Sequence, residues 1–218
     1  MRELWVRAGL FAEGPTDYRF LLPLIDLLLT DLLARHFPRR HTRESSLGID
    51  ADAAAGPRRA SRIADAIARH WDECTLFVVH SDGVGGPDRE RANNITPGLR
   101  AAARWARESG KDEPVLVVAC VPVRETEAWM LADLAVFKQL LRSAAPAVLP
   151  RDPERVVDPK QELKRLLGGQ RLLNDSYDFF GKNIALDALR RLPAFNSFEA
   201  ELLAAVHRLA ASGASSGA

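Results

Sequence analysis

Three short, almost wholly apolar runs, at residues 4–12, 75–80 and 114–123, constrain the fold more than any other feature of the chain. Each is bounded by turn residues and is too short for a buried helix, so each reads as a strand covered on both faces. Amphipathic stretches alternate with them. Residues 17–36 place Phe20, Leu21, Leu24, Leu28 and Leu32 on one stripe, residues 58–71 do the same with Ile63, Ile67 and Trp71, and residues 96–109 supply a third helix. Strand and helix in alternation predict an α/β fold: a mainly parallel, Rossmann-like sheet flanked by helices and joined by right-handed crossovers.

Each run also ends in acid. Glu13 closes the first, Asp82 follows the second, and Glu125 with Glu127 follow the third. In open parallel sheets ligands gather at the carboxyl ends of the strands. Carboxylates converging there raise one another's pKa and cost stability unless a cation joins them. Oxygen donors of this kind point to Mg²⁺ or Mn²⁺, and magnesium keeps waters that a phosphate can replace, so the favoured substrate is a phosphodiester or nucleotide.

Asp17 lies four residues beyond Glu13 across a Gly-Pro turn. It reads equally as a further metal ligand and as an acid at a helix N-terminus. Glu125 and Glu127 share a face only if the chain is extended there; on a helix they diverge.

The blocks Glu13-Gly14-Pro15-Thr16-Asp17 and Arg124-Glu125-Thr126-Glu127-Ala128-Trp129-Met130-Leu131-Ala132-Asp133, with Asp82 between them, resemble the Toprim fold. That is the metal-binding domain of topoisomerases, bacterial primases and OLD-family nucleases. The wording is similar to a narrower bacterial Toprim-like family of unknown function, and the similarity extends to Lys160 and Lys182. The resemblance implies metal ligation by Glu13, Asp17, Asp82, Glu125 and Glu127, and catalytic roles for Glu13, Asp82 and Lys182. One position departs from the pattern: His80 stands where the first acid of the Toprim Asp-x-Asp motif belongs.

The implied activity is a Mg²⁺- or Mn²⁺-dependent, nuclease-type phosphodiesterase acting on nucleic acid, DNA ahead of RNA. The same resemblance implies an AAA or ABC-type ATPase partner, a role in phage or mobile-element defence, and room for a homodimer. The substitution at His80 keeps a second reading open, a non-catalytic metal-binding or regulatory subunit. Arg39, Arg40 and Arg43 lie in a basic run with no acid before Glu44 and are the candidate nucleic-acid contacts.

Other classes are disfavoured. The apolar stretch 21–29 is broken by Asp26 and falls short of the roughly 20 residues a membrane span needs. The first residues lack the pattern of a signal peptide, which makes the cytoplasm the expected compartment. Cys74 and Cys120 sit in or beside apolar runs and indicate neither a disulfide framework nor a zinc site. Gly83-Val84-Gly85-Gly86 lacks the residues of a P-loop and reads as a loop over the crevice. Trp129 reads as a core anchor at the start of a helix.

Residues 38–57 read as a long loop with weak strand character at 47–49. Helical character is expected over 128–141, 160–167, 181–192 and 197–211, with Asn196 or Ser197 as the last N-cap. The division this predicts is a Toprim-like core over 1–145, a helical extension over 146–212 and a disordered tail over 213–218.

Overall fold

A computed structural model describes residues 4–38, 41–84, 86–142 and 148–215. Its centre is a parallel four-stranded sheet made of β2 (Ala8–Phe11), β4 (Leu47–Gly48), β5 (Leu76–His80) and β6 (Val117–Cys120), in the order β4-β2-β5-β6. The α/β expectation is met, with helices on both faces and a helical C-terminal part. No helix among the described residues is long and apolar enough to cross a membrane.

The first apolar run is two strands rather than one. β1 (Leu4–Val6) pairs in parallel with β3 (His41–Arg43), while β2 pairs with β4 and β5. The break falls at Arg7, whose N–H donates to Thr75 Oγ1 at 3.0 Å and whose carbonyl accepts from Thr75 N at 2.9 Å. The stretch read as a loop at 38–57 therefore contains two short strands. His41-Thr42-Arg43 gives no apolar signal, because its strand geometry comes from pairing with β1 and not from burial.

On one face lies α1 (Pro15–His36); on the other lie α2 (Arg59–Arg69) and α4 (Thr96–Glu108). Alternation along each strand divides the core accordingly. Leu10, Leu76, Val78 and Val118 pack with α1, whereas Phe11, Phe77, Val79 and Ala119 pack with Ile63, Ile67 and Ala102 of α2 and α4. A short helix, α3 (Pro87–Glu90), and a π-helical turn at Arg91–Ile95 lead into α4, and no apolar periodicity marks either.

The stretch expected to be helical over 128–141 is interrupted. α5 (Glu127–Met130) stops, and α6 (Leu134–Leu141) starts afresh because Asp133 caps it, accepting from Ala135 N at 2.8 Å. Then come α7 (Pro159–Leu167), α8 (Gln170–Asn183), α9 (Leu186–Leu189) and α10 (Pro193–Ser215). α8 begins well before the expected 181 and α10 before the expected cap at 196 or 197. α10 also runs into the stretch read as a tail, of which residues 216–218 lie outside the described residues.

These helices bury Tyr177, Phe180, Phe195 and Phe198 in the same cluster as α1 and the strands. α8 approaches α1 so closely that a Cβ on Gly181 would overlap the carbonyl of Phe20. At the far side of β6, Glu201 of α10 accepts from Ala119 N at 3.4 Å and is gripped by both guanidinium nitrogens of Arg91.

Candidate metal centre

The chain leaves β2 toward β4 and leaves β5 toward β6, so their adjacent carboxyl ends form the point where the sheet order diverges, and a crevice opens there. Alternation decides what enters it. His80 shares the parity of Leu76 and Val78 and so faces α1; Ser81 shares that of Phe77 and Val79 and faces α2. By the same count Glu13 follows Phe11 toward α2. The acids of the first turn are thereby parted: Asp17 falls on one side of the crevice and Glu13 on the other.

Asp17, His80 and Asp82 form the one group of potential metal ligands found among the described residues, each offering an atom within 4.8 Å of the others. His80 is fully buried, with Nδ1 3.8 Å from Asp17 Oδ2 and Nε2 3.4 Å from Asp82 Oδ1. Neither ring nitrogen has a hydrogen-bond partner, nor do Asp82 Oδ1 and Glu125 Oε2, all of them buried. Buried polar atoms are nearly always paired, and four orphans converging on one crevice fit a cation-binding donor set.

Asp17 fills the helix-N-terminal role and also stands in the candidate ligand group. Its Oδ2 accepts from Gly14 N at 3.0 Å and closes the first turn of α1, while Oδ1 accepts from Thr126 Oγ1 at 3.3 Å. Burial raises its pKa, the neighbouring His80 opposes the rise, and the charges of Asp82 and Glu127 add to it. Burial likewise raises Glu125, reinforced by Glu127 and Asp82 and opposed by Lys160. Asp17, Asp82, Glu125 and Glu127 thus form one electrostatic cluster.

The helix that begins at Glu127 separates the two glutamates of the third motif. Glu127 is buried and engaged: Tyr177 donates to its Oε1 at 2.5 Å, the Thr126 hydroxyl lies 3.5 Å from Oε2, and Lys160 Nζ lies 3.7 Å away. Glu125 is left with its inner oxygen unpaired. The loops that bear Asp82 and Glu125 are locked together, because Gly83 N donates to Arg124 O at 2.8 Å and a Cβ on Gly83 would overlap Pro122 O.

Glu13 is held on the α2 side by Arg59 Nη1 at 3.2 Å and by the hydroxyl of Ser81 at 2.7 Å. That hydroxyl also lies 2.6 Å from Glu90 Oε1, which Asn94 contacts in turn. Arg59 also donates to the His80 carbonyl at 2.5 Å.

Several expected residues lie elsewhere. Lys182 is exposed and pairs with Asp178 at 2.7 Å, so the lysine that reaches the cluster is Lys160. Arg43 is committed to Asp26 at 2.8 Å, and Arg39 and Arg40 lie outside the described residues. Trp129 is a core residue, its Nε1 donating to the buried Glu154 at 3.3 Å. Sequence reasoning missed Arg59, Ser81, Thr126 and Tyr177. The parity of β5 could have found Ser81; nothing in the sequence marks Tyr177 as facing an acid.

No family model matches this chain, and searches of curated proteins and of solved structures likewise give no match.

Proposed function

We propose that the chain is a metal-dependent, nuclease-type phosphodiesterase whose ion is held by Asp17, His80 and Asp82, with Glu125 beside them. The observation that carries this reading is the fully buried imidazole of His80, unpartnered at both nitrogens and set between two carboxylates. One imidazole with carboxylates is a mixed nitrogen and oxygen donor set, which suits Mn²⁺ better than Mg²⁺. When bound, such an ion acidifies a water and stabilises charge on a phosphodiester oxygen.

The remaining work falls to side chains at the mouth. Lys160, half exposed, sets a positive charge against Glu127 at the point where a phosphate would enter. Tyr177 fixes the position of Glu127, so that of the two glutamates Glu125 is left to turn toward the ion. Glu13, more than a third exposed, accepts a hydrogen bond from the Ser81 hydroxyl and is placed to orient a water at the mouth of the crevice. The preference for DNA, the ATPase partner and the defence role rest on the resemblance to Toprim nucleases.

One observation favours the second reading, a non-catalytic metal-binding subunit. Glu13, the acid that the resemblance places in catalysis, is neutralised by Arg59 and stands outside the ligand group. The deciding experiment is cleavage of supercoiled plasmid, linear DNA and RNA with Mn²⁺ or Mg²⁺, comparing wild type with Asp82→Asn and His80→Ala. Metal-dependent cutting lost in both variants is the expected result. Absence of cutting by wild type, with metal binding retained, would leave the regulatory reading in its place.

A further inference from the structure

Beside Glu13 a cleft of about 530 Å³ opens between the β2–α1 turn and α2. Arg19, Arg59 and Arg62 line it, against only two acids, Glu13 and Asp50. Glu13 is already paired with Arg59 and Ser81, while Asp50 lies 3.3 Å from the Tyr18 hydroxyl, which has a nearer acceptor in the Ile49 carbonyl at 3.0 Å. Arg19 and Arg62 form no ion pair among the described residues and are exposed, so the cleft keeps an excess of positive charge, three guanidiniums against two carboxylates.

Arg59 is built into the wall. Its guanidinium sits over the Phe11 ring at 5.8 Å, bonds Glu13 and the His80 carbonyl, and leaves its buried Nε without a partner. A planar cation fixed in this way, with two further guanidiniums beside it, matches the geometry of phosphate recognition better than that of a carboxylate pair. The cleft has room for one nucleotide, and two of its lining residues, Glu13 and Arg59, reach Ser81 and the His80 carbonyl beside the candidate metal centre.

We infer that this cleft seats a nucleotide phosphate, held by Arg19 and Arg62 with Arg59 as the fixed wall. In a nucleic-acid strand this would be a phosphate neighbouring the one at the metal centre. The nucleic-acid contact thereby moves from the basic run at residues 39–43 to residues on α1 and α2. The identity of the strand as substrate rests on the phosphodiesterase reading; the affinity of the cleft for phosphate does not.

The test is binding of a fluorescein-labelled single-stranded hexanucleotide and, by competition, of adenosine monophosphate, followed by anisotropy in chelator so that no metal contributes. The expected result is that Arg19→Gln/Arg62→Gln weakens hexanucleotide binding about tenfold or more and flattens its salt dependence by roughly the slope of two phosphate contacts. Arg107→Gln, an exposed arginine on the opposite end of α4, leaves both unchanged, and Arg19→Lys/Arg62→Lys restores part of the affinity.

Competition by the mononucleotide at concentrations near those of the strand would assign the cleft to a free nucleotide; competition only by the longer strand would assign it to nucleic acid. Either supports a phosphate site. Hexanucleotide binding unchanged in the double glutamine variant, with thermal melting confirming its fold, would overturn the inference, as would no binding by wild type. Because the assay runs without metal, loss of the phosphodiesterase reading would not by itself remove the cleft, nor the reverse.

Discussion

Tyr177 donates its phenolic hydrogen to Glu127 Oε1 at 2.5 Å, joining α8 to the first turn of α5 across 50 residues of sequence. This bond places the helical C-terminal layer in direct contact with the acid cluster. Burial and the charge of Glu127 both hold the phenol above its ordinary pKa, so it stays a donor throughout the working pH range.

Removing that donor should be costly in the metal-free protein. Tyr177→Phe leaves a carboxylate that is 4 % exposed with one oxygen short of its partner, an expected loss of about 1–3 kcal/mol in urea denaturation. Lys160→Gln removes a half-exposed ion pair and should cost less than about 1 kcal/mol. Equal losses for the two variants would mean that Lys160 is the group that holds Glu127.

Metal affinity should separate the two acids of the β2–α1 turn. Calorimetric titration with Mn²⁺ is expected to show about tenfold or greater weakening for Asp17→Asn, Asp82→Asn and His80→Ala, whereas Glu13→Gln stays close to wild type. A loss in Glu13→Gln matching that in Asp82→Asn would place Glu13 among the ligands after all, as the Toprim resemblance implies.

Gly83 should tolerate no side chain. A methyl group there would strike the Pro122 carbonyl, a backbone atom that can yield only if the two crevice loops part. Gly83→Ala is expected to cost about 1–3 kcal/mol or more in stability and to weaken Mn²⁺ binding with it. Retention of both properties would show that the loops separate freely.

A pH effect should trace to Glu154, remote from the crevice. Burial raises its pKa above the ordinary 4.5, against the lowering effect of the hydrogen bonds from Ala194 and Trp129. The folded state therefore keeps this proton to a higher pH than the unfolded chain does. Stability is present in full below 4.5 and falls as the pH climbs through the raised folded value. Glu154→Gln keeps one oxygen for both donors, since Oε1 accepts from Trp129 and from Ala194 N, and removes the titration. The difference in melting temperature between wild type and variant should grow in the variant's favour as the pH rises from 4.5; a constant difference would clear Glu154.

The sheet was legible because burial and strand geometry coincide in 75–80 and 114–123, and the acids at their ends were legible because they follow the last apolar residue. His41-Thr42-Arg43 was not, since a polar strand stabilised by a neighbour leaves no apolar trace. The same holds inside the site. Grouping Glu13 with Asp17 follows from closeness in sequence, yet parity sends Glu13 after Phe11 toward α2 and leaves Asp17 with His80. The start of α10 at Pro193 was hidden for another reason: its first turn is met by Glu154 from 40 residues away, accepting from Ala194 N, instead of by a cap next to it.

The grip of Glu201 on Ala119 and Arg91 bears on how the molecule meets copies of itself. β6 ends the sheet, and a terminal strand offers its free backbone groups to any passing extended chain. Here one of those groups is already claimed by a carboxylate from α10, anchored in turn by Arg91. At the opposite margin β4 is only two residues long. An invading strand would have to unseat a helix on one side and would find little to grip on the other, a safeguard against aggregation that leaves the crevice end of the sheet open.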